Sequence, residues 1–311
     1  MLRAVSVACA AVLAFLTLSM AASSHAVAAP LTHQGSGAGH TLPASGGQNG
    51  SWAPLNDPKA AVGTWPSRIA ANGDVVGMYY DKTYNAHGFV LRNGNWMTLD
   101  DPQANPPPGV LLGTFAFAES SNGDVAGYFN TRNYEAHAFV LHNGTYNNFE
   151  VKGSWNTWAF DMNDQGTVVG TCTRNATYYG FVKTATTTTV FGYPGADETQ
   201  ALGVNNNGAV VGYYFLHGVQ HGFLDNGGKF SAINYPHALW TVASGVADNG
   251  DVTGYYSDGA VTHGFVLHAG SYAQLDAQGA AETMPAGITS AGKVVGSDYS
   301  GHTWNGFMYS P

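Results

Sequence analysis

Two carboxylates, Glu119 and Asp161, and one guanidinium, Arg68, are the charged side chains whose setting could support chemistry in this chain. Each follows a large aromatic within a few residues: Arg68 follows Trp65, Glu119 follows Phe115 and Asp161 follows Trp158. Two carboxylates can serve as acid and base on a glycosidic bond, and a flat aromatic face can stack on a sugar ring. Trp65, Arg68, Phe115, Trp158 and Asp161 are therefore candidate ligand-binding residues, and Asp161 with Glu119 is the candidate catalytic pair. A plainer use of the same residues is internal: Arg68 neutralises the carboxylates and the tryptophans pack, because buried charges normally pair. A second polar set is His87, His137, His221 and His263, each two residues before a phenylalanine. One local geometry used four times explains these better than four active sites. They are expected to brace a strand by a hydrogen bond from the ring to nearby backbone.

The elements that would hold these side chains come from an internal repeat. Turn glycines Gly73, Gly123, Gly166, Gly208, Gly250 and Gly292 are spaced by 50, 43, 42, 42 and 42 residues. Relative to each, a threonine stands nine before (Thr64, Thr114, Thr157, Thr199, Thr241, Thr283) and a glycine four after (Gly77, Gly127, Gly170, Gly212, Gly254, Gly296). One copy parses into strands a "QALGV", b "AVVGYY", c "HGFLD" and d "KFSAIN", with Asn/Asp/Gly turns joining a to b and c to d. Four short strands in about 42 residues is the size of a propeller blade. The last copy stops after its strand c, while Asn49 to Thr64 matches the d-strand region of the preceding copy. The expected fold is all-β: a six-bladed β-propeller over 50–311, four antiparallel strands per blade, closed by the N-terminal strand completing the last blade.

The motif set Asn-x-x-Gly, Val-x-Gly-Tyr, His-Gly/Ala-Phe and Leu-Asp-x-Pro covers nearly all of the repeat region. It resembles the bacterial extracellular repeat family named for its His-Ala-Phe motif, which stands here as His137, Ala138 and Phe139. The resemblance implies a secreted repeat protein and brings no catalytic residues with it.

Composition agrees with a folded, exported chain. Of 311 residues 44% are hydrophobic and only 10% charged, which does not fit disorder. The net charge of −9 and the lack of a basic cluster exclude a nucleic-acid partner. Residues 1–29 read as a secretory signal: Arg3, then the apolar run "AVSVACAAVLAFLTLSMA", then a cleavage site in "AVAAP". The rival is an uncleaved membrane anchor; after cleavage no membrane span is expected. Residues 30–49 read as a flexible Gly/Ser-rich leader. The processed chain keeps one cysteine, Cys172, so no internal disulfide forms. No Cys/His metal spacing and no cofactor motif occurs; "DMNDQG" opens like a calcium loop but has no glutamate at the twelfth place. No metal and no cofactor are expected, and the sequence sets no oligomeric state.

Chain direction puts the a–b and c–d turns on one face and the b–c and d–a connections on the other. The first set is uniform. The second varies and includes the insertion "PQANPPPGVLLG". Variable loops on a rigid scaffold are where binding tends to reside, so the site is expected on the b–c/d–a face, near the channel mouth. The leading expectation is a secreted module that binds a glycan or cell-surface polymer. The alternatives are a secreted polysaccharide lyase or glycoside hydrolase, and a structural or adhesive envelope protein without a pocket.

Overall fold

The computed structural model describes residues 50–311; the expected signal at 1–29 and leader at 30–49 lie outside the described residues. Every element is a strand. β1 (Ser51–Pro54) comes first. β2 (Gly63–Ile69), β3 (Val75–Tyr80), β4 (Ala86–Arg92) and β5 (Asn95–Leu99) then pair antiparallel in order as a first quartet. The second is β6 (Thr114–Glu119), β7 (Val125–Asn130), β8 (Ala136–His142) and β9 (Thr145–Phe149). The third is β10 (Thr157–Met162), β11 (Val168–Arg174), β12 (Thr177–Lys183) and β13 (Thr188–Phe191). The fourth is β14 (Glu198–Val204), β15 (Ala209–Leu216), β16 (Val219–Asn226) and β17 (Phe230–Ile233). The fifth is β18 (Trp240–Val246), β19 (Val252–Ser257), β20 (Thr262–His268) and β21 (Ser271–Gln274). The last is β22 (Glu282–Ile288), β23 (Val294–Ser300) and β24 (Thr303–Ser310), and β1 supplies its outer strand, with Ser51 opposite Ser310. Single parallel bridges, Gly63 to Trp304 and Thr262 to Glu282, link the first, fifth and last quartets into one mixed sheet.

The repeated residues each have a local physical reason. The strand-b glycine lies where a Cβ would strike the carbonyl of the paired strand a; at Gly170 that oxygen is Trp158 O, 1.9 Å away. The strand-c phenylalanine lays its ring on the same glycine, and Phe89, Phe139, Phe181, Phe223 and Phe265 are fully buried. Each such ring contributes roughly 1.5–3 kcal/mol of burial. The cores lie between successive quartets: Ala118, Ala126 and Ala138 of the second pack with Ala159, Met162, Val168 and Phe181 of the third. Strand a carries a β-bulge in every quartet, for example between Ala159 and Asp161. The residue after the bulge faces the next strand a: a Cβ on Gly287 would lie 3.0 Å from the Arg68 Cα. The six a strands touch in a closed cycle, β2–β6–β10–β14–β18–β22 and back to β2.

The threonine row is a set of clasps. Each Oγ1 accepts the backbone N–H of a residue in the connection that precedes its own strand: Asp57 to Thr64, Asp101 to Thr114, Val151 to Thr157, Tyr193 to Thr199, Tyr235 to Thr241 and Ala277 to Thr283, all at 2.8–3.1 Å. Thr157→Val keeps the shape and leaves the buried Val151 N–H unpaired. The expected loss is about 1–3 kcal/mol by urea unfolding, and Thr157→Ser should lose less than half of it.

Candidate functional site

The charged candidates gather at the a–b end of the channel. A cavity of about 330 Å³ opens there, lined by Arg68, Glu119, Asp161 and the a–b turns of the quartets. Arg68 Nε donates to Asp161 Oδ1 at 2.9 Å, and its Nη2 forms an ion pair with Oδ2. Asp161 also accepts the N–H of Met162 at 2.8 Å and that of Val204 at 2.6 Å. Burial pulls the Arg68 guanidinium down to about 10, with Asp248 opposing, so it stays charged at neutral pH. Glu119 is held by Arg92 instead, whose Nε also donates to Asp74 at 2.6 Å. Burial raises the Glu119 carboxyl, and Arg92 offsets part of that rise. Around the rim, Ser121 N donates to Asp164, Asn206 Nδ2 donates to Asp164 and Asp248, and the Asn205 amide reaches Ala247 O. The arrangement neutralises charge and staples neighbouring turns. Asp161 and Glu119 were expected as one acid–base pair, but each is committed to its own cation.

The aromatic candidates sit at the opposite end of the a strands. Trp65 meets Tyr80 edge-on at 5.2 Å and Trp304 at 6.4 Å, Phe115 stacks on Tyr128 at 4.5 Å, and Trp158 lies against Tyr178 at 5.9 Å. All three are buried. The expectation that aromatics and charges share one mouth on the b–c/d–a face is corrected. Arg68 stands three positions along the strand from Trp65, roughly 10 Å along the channel, and neighbouring rings pack against the aromatics.

The b–c/d–a face, where binding was expected, carries a groove lined by none of the named site candidates. A groove of about 590 Å³ opens over the second quartet, between its b–c loop (Thr131, Arg132, Asn133, Glu135) and residues Gln103 and Asn105 of the proline-rich insertion; His137, Asn148 and Glu150 line its side. Asn105 holds the two walls together, its Oδ1 accepting Arg132 N at 3.0 Å and its own N–H reaching Asn130 O. The spacing of 50 between Gly73 and Gly123, against 42 elsewhere, was the available signal. Exposed aromatics stand on the same face: Tyr84 is 47% exposed, Tyr134 53% and Trp155 83%. Tyr84 and Tyr134 occupy the same place in successive b–c loops, both with left-handed φ (64° and 65°), a conformation that costs an ordinary residue about 1–2 kcal/mol.

The repeated histidines are braces, with a correction to their partner. Nδ1 bonds a side chain 13 residues later, at the end of strand d, rather than backbone: His87 to Asp100, His137 to Glu150, His221 to Asn234 and His263 to Asp276, at 2.7–2.9 Å. Each ring stacks on a strand-b aromatic, Tyr79, Phe129, Tyr214 or Tyr256, at 5.1–5.4 Å. The hydrogen bond to Asp100 raises the His87 pKa, and burial partly offsets it. Where the histidine is replaced, Asn305 bonds Ser300 and the Thr303 carbonyl instead.

No helix among the described residues is long and apolar enough to cross a membrane. No family model matches the chain, and no curated protein matches it. Solved structures do resemble it. Virginiamycin B lyase from Staphylococcus aureus aligns over 85% of this chain and 100% of its own, at 12% identity and a TM-score of 0.51. TolB from Acinetobacter baumannii aligns over 76% of this chain and 63% of its own, at 11% identity and a TM-score of 0.54. The SapL1 lectin, solved with alpha methyl fucoside, aligns over 78% and 90%, at 10% identity and a TM-score of 0.53. At such identities the likeness is one of fold: an all-β, propeller-like chain of four-stranded antiparallel sheets.

Proposed function

We propose that this chain is a secreted six-bladed β-propeller of the His-Ala-Phe repeat type that binds a glycan or cell-surface polymer on its b–c/d–a face. Support for the blade count is the closed cycle of a strands and the pairing of β1 with β24. The observation that carries the binding reading is where exposed apolar surface falls. Tyr84, Tyr134, Trp155, Val219 and Leu239 all lie on b–c or d–a connections or at their edge, and among the described residues Met97 is the one exposed large apolar side chain elsewhere. Aromatic rings held in water by tight turns suit stacking on sugar faces. The lectin likeness is compatible with this use of the fold and does not establish it.

The test is a glycan array followed by tryptophan-fluorescence titration. Saturable binding is expected, weakened about tenfold or more in Trp155→Ala or Tyr134→Ala, equivalent to ~1.4 kcal/mol. An array without binding, or affinity unchanged in both variants, rejects the reading.

A further inference from the structure

Two of the brace histidines stand between a pair of aspartates. His87 Nδ1 meets Asp100 Oδ1 at 2.8 Å, at the end of strand d, and its Nε2 faces Asp81 Oδ2 of the b–c loop at 3.5 Å. His263 repeats this with Asp276 at 2.7 Å and Asp258 at 3.5 Å. Asp81 and Asp258 each stand eight residues after their turn glycine, where the fourth quartet has Leu216. In that quartet His221 meets Asn234 in place of the strand-d carboxylate. The second quartet has Thr131 at the loop position, and Glu135, at the far end of the loop, stands 3.9 Å from His137.

The two loop aspartates also fold their own loops. Asp81 Oδ1 accepts the N–H groups of Thr83 at 2.8 Å and Asn85 at 2.9 Å, while Oδ2 meets the Thr83 hydroxyl and faces the ring. Asp258 Oδ1 accepts those of Ala260 at 2.8 Å and Val261 at 2.9 Å, with Oδ2 turned to His263. One carboxylate thus ties each loop to itself and meets the histidine. The first of these loops holds Tyr84 in water.

An ionised carboxylate only accepts hydrogen bonds, and a neutral imidazole has a single N–H. The closer aspartate takes it at Nδ1, so Nε2 of the neutral ring turns a lone pair to the loop aspartate. Protonation puts an N–H there, and the contact becomes a charge-assisted bond. We infer that His87 and His263 are proton-operated latches. In mildly acidic solution they fasten the b–c loops of the first and fifth quartets to the ends of their d strands, and above neutrality they release them.

The surrounding groups set the window. The bond to Asp100 raises the His87 pKa, burial opposes it, and Asp81 adds to the rise. Burial lifts Asp81, but its bonds with Asn85, Thr83 and His87 outweigh that and hold it below the usual carboxylate range. The N–H groups of Val261 and Ala260 hold Asp258 low as well. Tyr79 stacks on His87, with Asp57 nearby and Lys59 beyond it on Thr98; Tyr256 stacks on His263, and Gln274 donates to Asp276. Burial raises both tyrosine hydroxyls, so they keep their protons across the window. The His87 contribution is complete below the ordinary histidine value of about 6.5 and is lost as pH rises through the raised one. It is lost again in acid, once Asp81 takes a proton below about pH 4.

Imidazole NMR and amide hydrogen exchange at about pH 5.5 and about pH 8 test the latch. The neutral rings of His87 and His263 are expected as the Nδ1–H tautomer by their nitrogen shifts. Exchange protection of the Thr83, Asn85, Ala260 and Val261 amides, corrected for the intrinsic rate, should rise about threefold or more on acidification. That of His217 and Gly218 in the fourth quartet's turn should not. Asp81→Asn keeps an oxygen for Thr83 and Asn85, and should lower the His87 midpoint by about 0.5 pH unit or more while His263 stays unmoved. His87→Asn, which gives this quartet the residue of the last one, should remove the pH response of the first loop alone. A neutral Nε2–H tautomer, loop protection that ignores pH, a His87 midpoint that ignores Asp81→Asn, or an undiminished response in His87→Asn overturns the inference.

Discussion

Asp161→Ala is expected to destabilise the folded chain by about 3–5 kcal/mol, the cost typical of stripping one partner from a buried ion pair. Three groups lose their acceptor together. Arg68 is left charged, since burial brings it only to about 10, and the N–H groups of Met162 and Val204 lose Oδ1 and Oδ2. The pair also ties β2 to β10, two strands of the central cycle that are not direct neighbours. Replacing both partners, as in Arg68→Met with Asp161→Leu, should recover much of the loss, because two desolvated charges leave together. Recovery should stop about 1–3 kcal/mol short, since the two N–H groups stay unpaired. Urea unfolding of the two single variants and the double one reads all of this. A loss under 1 kcal/mol in Asp161→Ala would show that the pair is solvated in solution.

Much of the fold was legible in the sequence because each repeated residue answers a repeated local demand. The six threonines recur at one place in every copy because each bonds a backbone N–H there. The complementing strand was legible because Trp52 and Leu55 match Tyr272 and Leu275, and β1 pairs with β24. The site was legible only in fragments. Arg68 and Asp161 stood out against glycines Gly203, Gly245 and Gly287 at the same repeat position, which marks crowding near the axis. Their pairing, across 93 residues of chain, is a property of the closed cycle. The charges were misplaced: Trp65, Phe115 and Trp158 do begin their strands at the b–c/d–a end, but Arg68, Glu119 and Asp161 lie three or four positions further along, beside the a–b turns. The histidine partner was missed for a related reason: Asp100, Glu150, Asn234 and Asp276 sit at the end of strand d, and only the c–d pairing returns them to the start of strand c. The groove is hardest to read: its walls are the b–c loop and the insertion, and only the fold shows Asn105 joining them.

Gly212→Ala is expected to cost about 3 kcal/mol or more, although it adds a single methyl group to a strand. A Cβ at Gly212 would lie 1.9 Å from Gln200 O and 2.9 Å from the Phe223 ring. The first contact is with backbone inside the a–b pairing, which can yield only by lengthening hydrogen bonds of the central strand. Overpacking of this kind normally costs 1–3 kcal/mol, and a rigid obstacle places it at the upper end. Gly208→Ala supplies the contrast. Gly208 has φ near 79° with open space around it, so alanine there meets only backbone strain, about 1–2 kcal/mol. Phe223→Leu should not rescue Gly212→Ala, because it relieves the ring contact and leaves the carbonyl. Urea melts that rank Gly208→Ala as the more damaging, or a full rescue by Phe223→Leu, would mean that the ring rather than the paired strand sets the glycine requirement. The same reasoning applies at Gly127, Gly170 and Gly254, where the paired carbonyl lies 1.9–2.0 Å from the added carbon, so the penalty belongs to the repeat and not to one copy.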